Sequence, residues 1–183
     1  MKEVRWHGRG GQGSFTVARL LGKAAVLFED KYALAFPSFG PERRGAPVLG
    51  FTKIDDKKIS DRSEVQECDY VVVLDESLID ENISKGLKPD GVIIINTAKP
   101  AKYENLKEVN TAFIDATSLA LEILGRPITN TAMLGALIAV SGIIDLESGE
   151  KAIADELKSS LVEKNVKIIR EAYNIVKKGE NHE

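Results

Sequence analysis

The chain reads as an α/β protein: a single domain over residues 1–178, built on a mainly parallel sheet flanked by helices, with a protruding loop and hairpin arm. Three observations predict this class. Val71-Val72-Val73-Leu74 and Val92-Ile93-Ile94-Ile95 are short, unbroken apolar runs, the pattern of strands covered on both faces of a parallel sheet. Strand-like runs alternate with segments of helical periodicity. A glycine-rich turn joins the first such strand to the first such helix.

That first strand spans residues 4–7 and runs into Gly8-Arg9-Gly10-Gly11-Gln12-Gly13, four glycines in six residues. Glycine takes positive φ without steric cost and lets another group approach the main chain. The helix behind it, residues 13–28, carries Val17, Ala18, Leu20, Leu21, Ala24 and Ala25 and no proline. A strand–glycine loop–helix unit aims N–H groups and a helix N-terminus at one point, which suits an anion. Gly8, Gly10 and Gly13 also match the dinucleotide spacing, but the acid that should end the next strand is missing: residues 32–36 close on Pro37-Ser38-Phe39-Gly40. A tight turn without ligand is the competing reading.

Residues 37–47 hold three prolines and two glycines, so they form a structured loop. If the strands before them are parallel, this loop shares a sheet edge with the glycine loop. Adjacent Arg43 and Arg44 suit a phosphate or carboxylate, or a pairing with Glu42 or a neighbouring subunit's acids. Residues 48–54 read as a strand, and 48–59 together as a hairpin or protruding arm with Asp55 and Asp56 in its turn. Further strands are expected at 69–74, 92–96 and 112–114, and helices at 77–85, 117–124 and 131–140, with Asn130 as N-cap of the last. That helix is apolar almost all round, so it is core or a partner contact. Residues 148–178 predict two helices broken near 158–162, and residues 179–183 a frayed tail.

Composition bounds the function. The formal charge is −3 with both signs interspersed, which disfavours a general nucleic-acid binder. No apolar stretch approaches a membrane span and no basic, apolar leader opens the chain, so a cytoplasmic protein is expected. The one cysteine, Cys68, excludes an intrachain disulfide and an iron–sulfur cluster held by this chain alone, and before an apolar strand it reads as a buried residue. His7 and His182 assemble no metal site, and no Ser/His/Asp set presents itself. Binding is better supported than catalysis.

On Gly8 to Gly13, on Ser38-Phe39-Gly40-Pro41-Glu42-Arg43-Arg44-Gly45, on strand 69–74 and on segment 130–135, the chain resembles the gamma subunits of pyruvate:ferredoxin oxidoreductases (pyruvate synthases), within the 2-oxoacid:acceptor oxidoreductases. The resemblance implies a subunit of a complex that decarboxylates a 2-oxoacid on thiamine diphosphate, passes electrons through iron–sulfur clusters to ferredoxin and transfers the acyl group to coenzyme A. Thiamine diphosphate and the clusters would sit on the alpha, beta and delta partners. This chain would have no catalytic or metal-ligating residue and would contact coenzyme A through Gly8, Gly10, Gly11, Gln12, Gly13, Arg43 and Arg44. A glycine loop without the ribose-binding acid suits a 3′-phospho-ADP group better than NAD. Another 2-oxoacid (2-oxoisovalerate, 2-oxoglutarate or an aryl pyruvate) or a purely structural role are the alternatives. The isolated chain is expected to form a homodimer through the surface offered by the 37–47 loop, the 48–59 arm and the 131–140 helix.

Overall fold

The computed structural model describes residues 1–38, 44–106 and 108–180. Its frame is one six-stranded sheet in the order β2-β3-β1-β4-β5-β6, with β1 Lys2–Arg9, β2 Tyr32–Pro37, β3 Pro47–Asp55, β4 Cys68–Val73, β5 Leu87–Asn96 and β6 Asn110–Ile114. β1, β4, β5 and β6 are parallel neighbours, whereas β3 runs antiparallel between β1 and β2. β2 and β1 therefore point the same way, and the loops that follow them leave the same sheet edge.

Side-chain alternation divides the core in two. Val4, Trp6, Ile54, Val72 and Ile94 face α1 Ser14–Phe28, α2 Ala116–Leu124, α3 Asn130–Ser141, α4 Leu146–Glu156 and α5 Ser159–Glu180. Phe51, Val71, Val73, Ile93 and Ile95 face the opposite side, closed by connecting segments that include a 3-10 stretch, Pro100–Leu106. All five helices thus cover one face. The central strands carry apolar side chains in both directions, which is why they appear as unbroken apolar runs. Trp6 Nε1 donates to Thr52 Oγ1 (3.1 Å), and that hydroxyl donates to the Ala18 carbonyl (2.9 Å), tying β1, β3 and α1 together.

α3 is core. Nine of its twelve residues are buried, and a Cβ on Gly135 would stand 2.4 Å from the Ile169 carbonyl of α5. The small residues let a helix of the same chain approach, so the partner-contact reading of α3 falls.

Three further expectations need correction. Residues 48–54 do not protrude; β3 sits inside the sheet between β1 and β2, with Phe51 and Ile54 only 2% and 3% exposed. Its mixture of apolar and polar residues arises because Thr52 and Lys53 are buried with partners, Lys53 Nζ lying 2.6 Å from Asp61. Self-association through an arm loses its ground. Residues 77–85 are not a helix: Asp75 and Asp80 each accept the N–H two residues on, at 3.0 and 2.9 Å, and these local bonds compete with helical ones. Only a 3-10 turn, Glu76–Leu78, remains. Asn130 is the first residue of α3 rather than its cap; Thr129 holds that position without a side-chain bond.

Candidate functional site

The structure brings the two glycine-containing motifs together. Gly10 N–H donates to the Ala46 carbonyl (2.8 Å), and Gly45 N–H donates to the Gly10 carbonyl (3.1 Å). This places Arg44 beside Gly10 in a parallel bridge, with its side chain exposed. Arg43 lies outside the described residues.

The glycine loop is a tight turn closed by a Gln12 N–H to Arg9 carbonyl bond (2.9 Å), with φ of 95° at Gly11 and 79° at Gly13. Gln12 spends its amide within the chain: Oε1 accepts from Arg9 N–H (2.7 Å), and Nε2 donates to Asp75 Oδ2 (2.8 Å). Asp75 also accepts from the N–H and hydroxyl of Ser77, at 3.0 and 2.6 Å. Burial alone would raise the Asp75 pKa, but the bonds from Ser77 and Gln12 and the nearby Arg9 guanidinium hold it below the usual aspartate range. Arg9 completes the clasp, reaching Ser77 Oγ (2.9 Å) and the Gly45 carbonyl (3.0 Å). The loop is therefore held in shape before any ligand arrives.

Some donors remain unspent. The first helical bond of α1 runs from Val17 N–H to the Gly13 carbonyl, and no side chain caps the helix. The N–H groups of Gly13, Ser14 and the rest of the first turn find no acceptor among the described residues. The Ser14 hydroxyl, on a residue 3% exposed, also has no partner there, and it faces Gly8: a Cβ on Gly8 would lie 3.0 Å from Ser14 Oγ. Asn130 adds another donor from the start of α3. Its Oδ1 accepts from Thr131 N–H (2.9 Å), which turns Nδ2 toward Gly13, 2.6 Å from where a Cβ would stand. Two helix N-termini, that of α1 uncapped, a hydroxyl and an amide thus converge on the crook of the loop, a donor set with the polarity of an anion site.

Two clefts flank the loop. One, of about 450 Å³, follows the carboxyl ends of β4 and β5 and the start of α2, and is lined by Gln12, Asp75, Glu76, Asn96, Thr97 and Asp115 among others. Its acids are committed: Glu76 accepts from Thr97 (2.8 Å) and Tyr103 (2.7 Å), and Asp115 caps α2 through Ser118 N–H (2.9 Å). Burial and the bond to Glu76 push the Tyr103 phenol up to about 12. The other, of about 610 Å³, lies on the helix-free face against Arg5, His7, Gly8, Arg9 and Leu49. Burial, then the Arg5 charge, lowers the His7 pKa to about 4, so this imidazole is neutral at pH 7 and accepts from Arg5 Nε at 3.0 Å.

Of the residues expected at the site, Gly8, Gly10, Gly11, Gln12, Gly13 and Arg44 gather at one sheet edge. Arg9, Ser14, Asp75, Ser77 and Asn130 join them unannounced. Asp75 carried one signal, standing directly after an apolar strand; that this strand is the parallel neighbour of β1 is visible only in the fold. Cys68 is buried, and burial raises its thiol pKa, away from a reactive thiolate. Among the described residues no group of three His, Cys, Asp or Glu is placed to hold a metal ion, and no helix is long and apolar enough to cross a membrane.

Residues 3–175 match the family model described as pyruvate ferredoxin/flavodoxin oxidoreductase. The chain is 52% identical over 175 residues to pyruvate synthase subunit PorC of Methanocaldococcus jannaschii, covering 95% of this chain and 96% of that one. It is 52% identical over 179 residues to the pyruvate/ketoisovalerate oxidoreductases common subunit gamma of Pyrococcus furiosus, covering 94% and 96%. The crystal structure of pyruvate oxidoreductase subunit PORC from Thermotoga maritima superposes with a TM-score of 0.83 at 38% identity, covering 94% of this chain and 95% of that one. The chain belongs to the pyruvate ferredoxin/flavodoxin oxidoreductase family, with the gamma subunits, and is an oxidoreductase subunit.

Proposed function

We propose that this family member works in the cytoplasm as the gamma subunit of a pyruvate synthase, which converts pyruvate, coenzyme A and oxidised ferredoxin to acetyl-CoA, CO2 and reduced ferredoxin, and that its own part is to bind coenzyme A phosphate. The observation that carries this is the convergence of unspent donors from Gly13, Ser14 and Asn130 on the glycine loop. A phosphate there meets main-chain N–H groups and two positive helix ends, with Arg44, and Arg43 of the same loop, to neutralise further charge. Gln12 serves by holding the loop against Asp75, since both ends of its amide are already bonded. In this reading the chain binds and does no covalent chemistry of its own. Thiamine diphosphate and the iron–sulfur clusters belong, in this reading, to the alpha, beta and delta partners.

The choice of 2-oxoacid lies elsewhere in the complex. The Pyrococcus furiosus relative is named as common to pyruvate and ketoisovalerate enzymes, which favours a gamma chain indifferent to the oxoacid. Assay of the assembled complex tests the reading. Arg44→Ala and Asn130→Ala should each raise the KM for coenzyme A about tenfold to a hundredfold, the scale of one charge-assisted hydrogen bond of about 1.5–3 kcal/mol, and leave the KM for pyruvate unchanged. Equal losses for both substrates, with a dissociated complex, would make the loop a packing device instead.

A further inference from the structure

A second feature lies beside this site and belongs to neither cleft. A groove of about 410 Å³ runs between the start of α1, the α2–α3 connection and the start of α5. Ile128 and Leu161 stand on its walls 45% and 48% exposed, backed by Leu124 and Leu157. Its floor is satisfied: Asn165 accepts from Thr131 Oγ1 (3.0 Å) and donates to the Leu161 carbonyl (2.8 Å). Among the described residues Arg126 and Lys164 are the only charges lining it, and neither has an ion pair there. In a chain with 28 acidic and 25 basic residues, a groove with two cations and no carboxylate is a local reversal of sign. On the helices that line it, Glu122 and Glu163 are two residues from Leu124 and Leu161, about 200° around the helix axis, and so lie off the groove.

We infer that this groove docks a segment of a partner subunit that places an apolar side chain between Ile128 and Leu161 and carboxylates against Arg126 and Lys164. A second copy of the chain does not fit. In a two-fold contact through this patch neither groove has a carboxylate to set against the other copy's Arg126 and Lys164. A partner with acidic residues meets them with opposite charge, and its apolar anchor removes exposed Ile128 and Leu161 from water. This inference rests on the reading of the chain as one subunit of a complex.

The test uses the co-expressed, purified complex with a photo-crosslinking residue at Ile128. The expected adduct joins this chain to a partner subunit, and mass spectrometry places it on a peptide with an apolar residue next to Asp or Glu. Alongside it, R126E/K164E should reduce recovery of the chain in the complex at least tenfold at low salt, with the chain's own melting curve unchanged, and R126Q/K164Q should reduce it less. An adduct to a second copy, an adduct to a bound small molecule, or no adduct in an intact complex would overturn the groove assignment. So would full recovery of the charge-reversed variant. Failure of the unmodified chain to enter any complex would instead overturn the subunit reading.

Discussion

Gly13→Ala probes the junction on which the anion site depends. At φ 79° an alanine pays for the left-handed conformation, about 1–2 kcal/mol. Its Cβ would also stand 2.6 Å from Asn130 Nδ2, so Asn130 must turn away and surrender a bond worth about 1 kcal/mol, the one it receives from Thr131 N–H. Together these cost about 2–3 kcal/mol, which for a chain of this size lowers Tm by about 4–12 °C. Asn130→Ala removes the amide, and its remaining Cβ would lie at an ordinary 3.6 Å. Gly13→Ala/Asn130→Ala should therefore keep the backbone penalty but lose the steric one, giving a coupling of about 1 kcal/mol in a double-mutant cycle. Thermal melts of the four proteins measure the cycle, and coenzyme A dependence of the assembled complex reports the site. Strict additivity, or a Gly13→Ala protein with wild-type Tm and coenzyme A dependence, would refute the argued contact.

Ser14→Ala should raise the KM for coenzyme A severalfold with little change in Tm, because the hydroxyl has no partner to lose within the described chain; a large drop in Tm would mean it serves the fold. Phe51→Asp should abolish folding rather than weaken assembly, since an unpaired carboxylate at a site 2% exposed costs upward of about 4 kcal/mol; a soluble variant with native circular dichroism would contradict the position of β3. His7 sets an acid limb. With its folded pKa lowered from 6.5 to about 4, the unfolded chain binds a proton in that interval and the folded chain does not, so stability falls as pH drops from about 6.5 toward 4, by up to about 3 kcal/mol. His7→Gln should flatten this part of the profile in denaturant melts at pH 7 and pH 4.5; an equally steep profile in the variant would assign it to other groups.

How far the order of residues could be read followed from how local each signal was. β4, β5 and α1 stood out because their apolar patterns come directly from burial on two faces or one. The strand over 48–54 was legible, but its place was misread as an arm because its alternation includes Thr52 and Lys53, polar residues buried with partners; those of Thr52, Trp6 and Ala18, are distant in sequence, and that of Lys53 is Asp61. The 77–85 segment was misread because its helical spacing of apolar residues competes with two aspartates that bond their own backbone.

At the site, the glycines were legible because their spacing is itself a conformational constraint, and residues 8–13 announce a turn that a bulkier sequence could not make. The α/β class and the family were likewise present in the chain alone. The tertiary structure decided the rest: that β4 lies next to β1 and so carries Asp75 to Gln12, that β3 runs between β1 and β2, and that the start of α3 brings Asn130 against Gly13. Gln12 and Asp75 are 63 positions apart and Asn130 lies farther still from Gly13, and only the pairing of strands and the packing of helices, which minimise exposed apolar surface over the whole chain, bring each pair together.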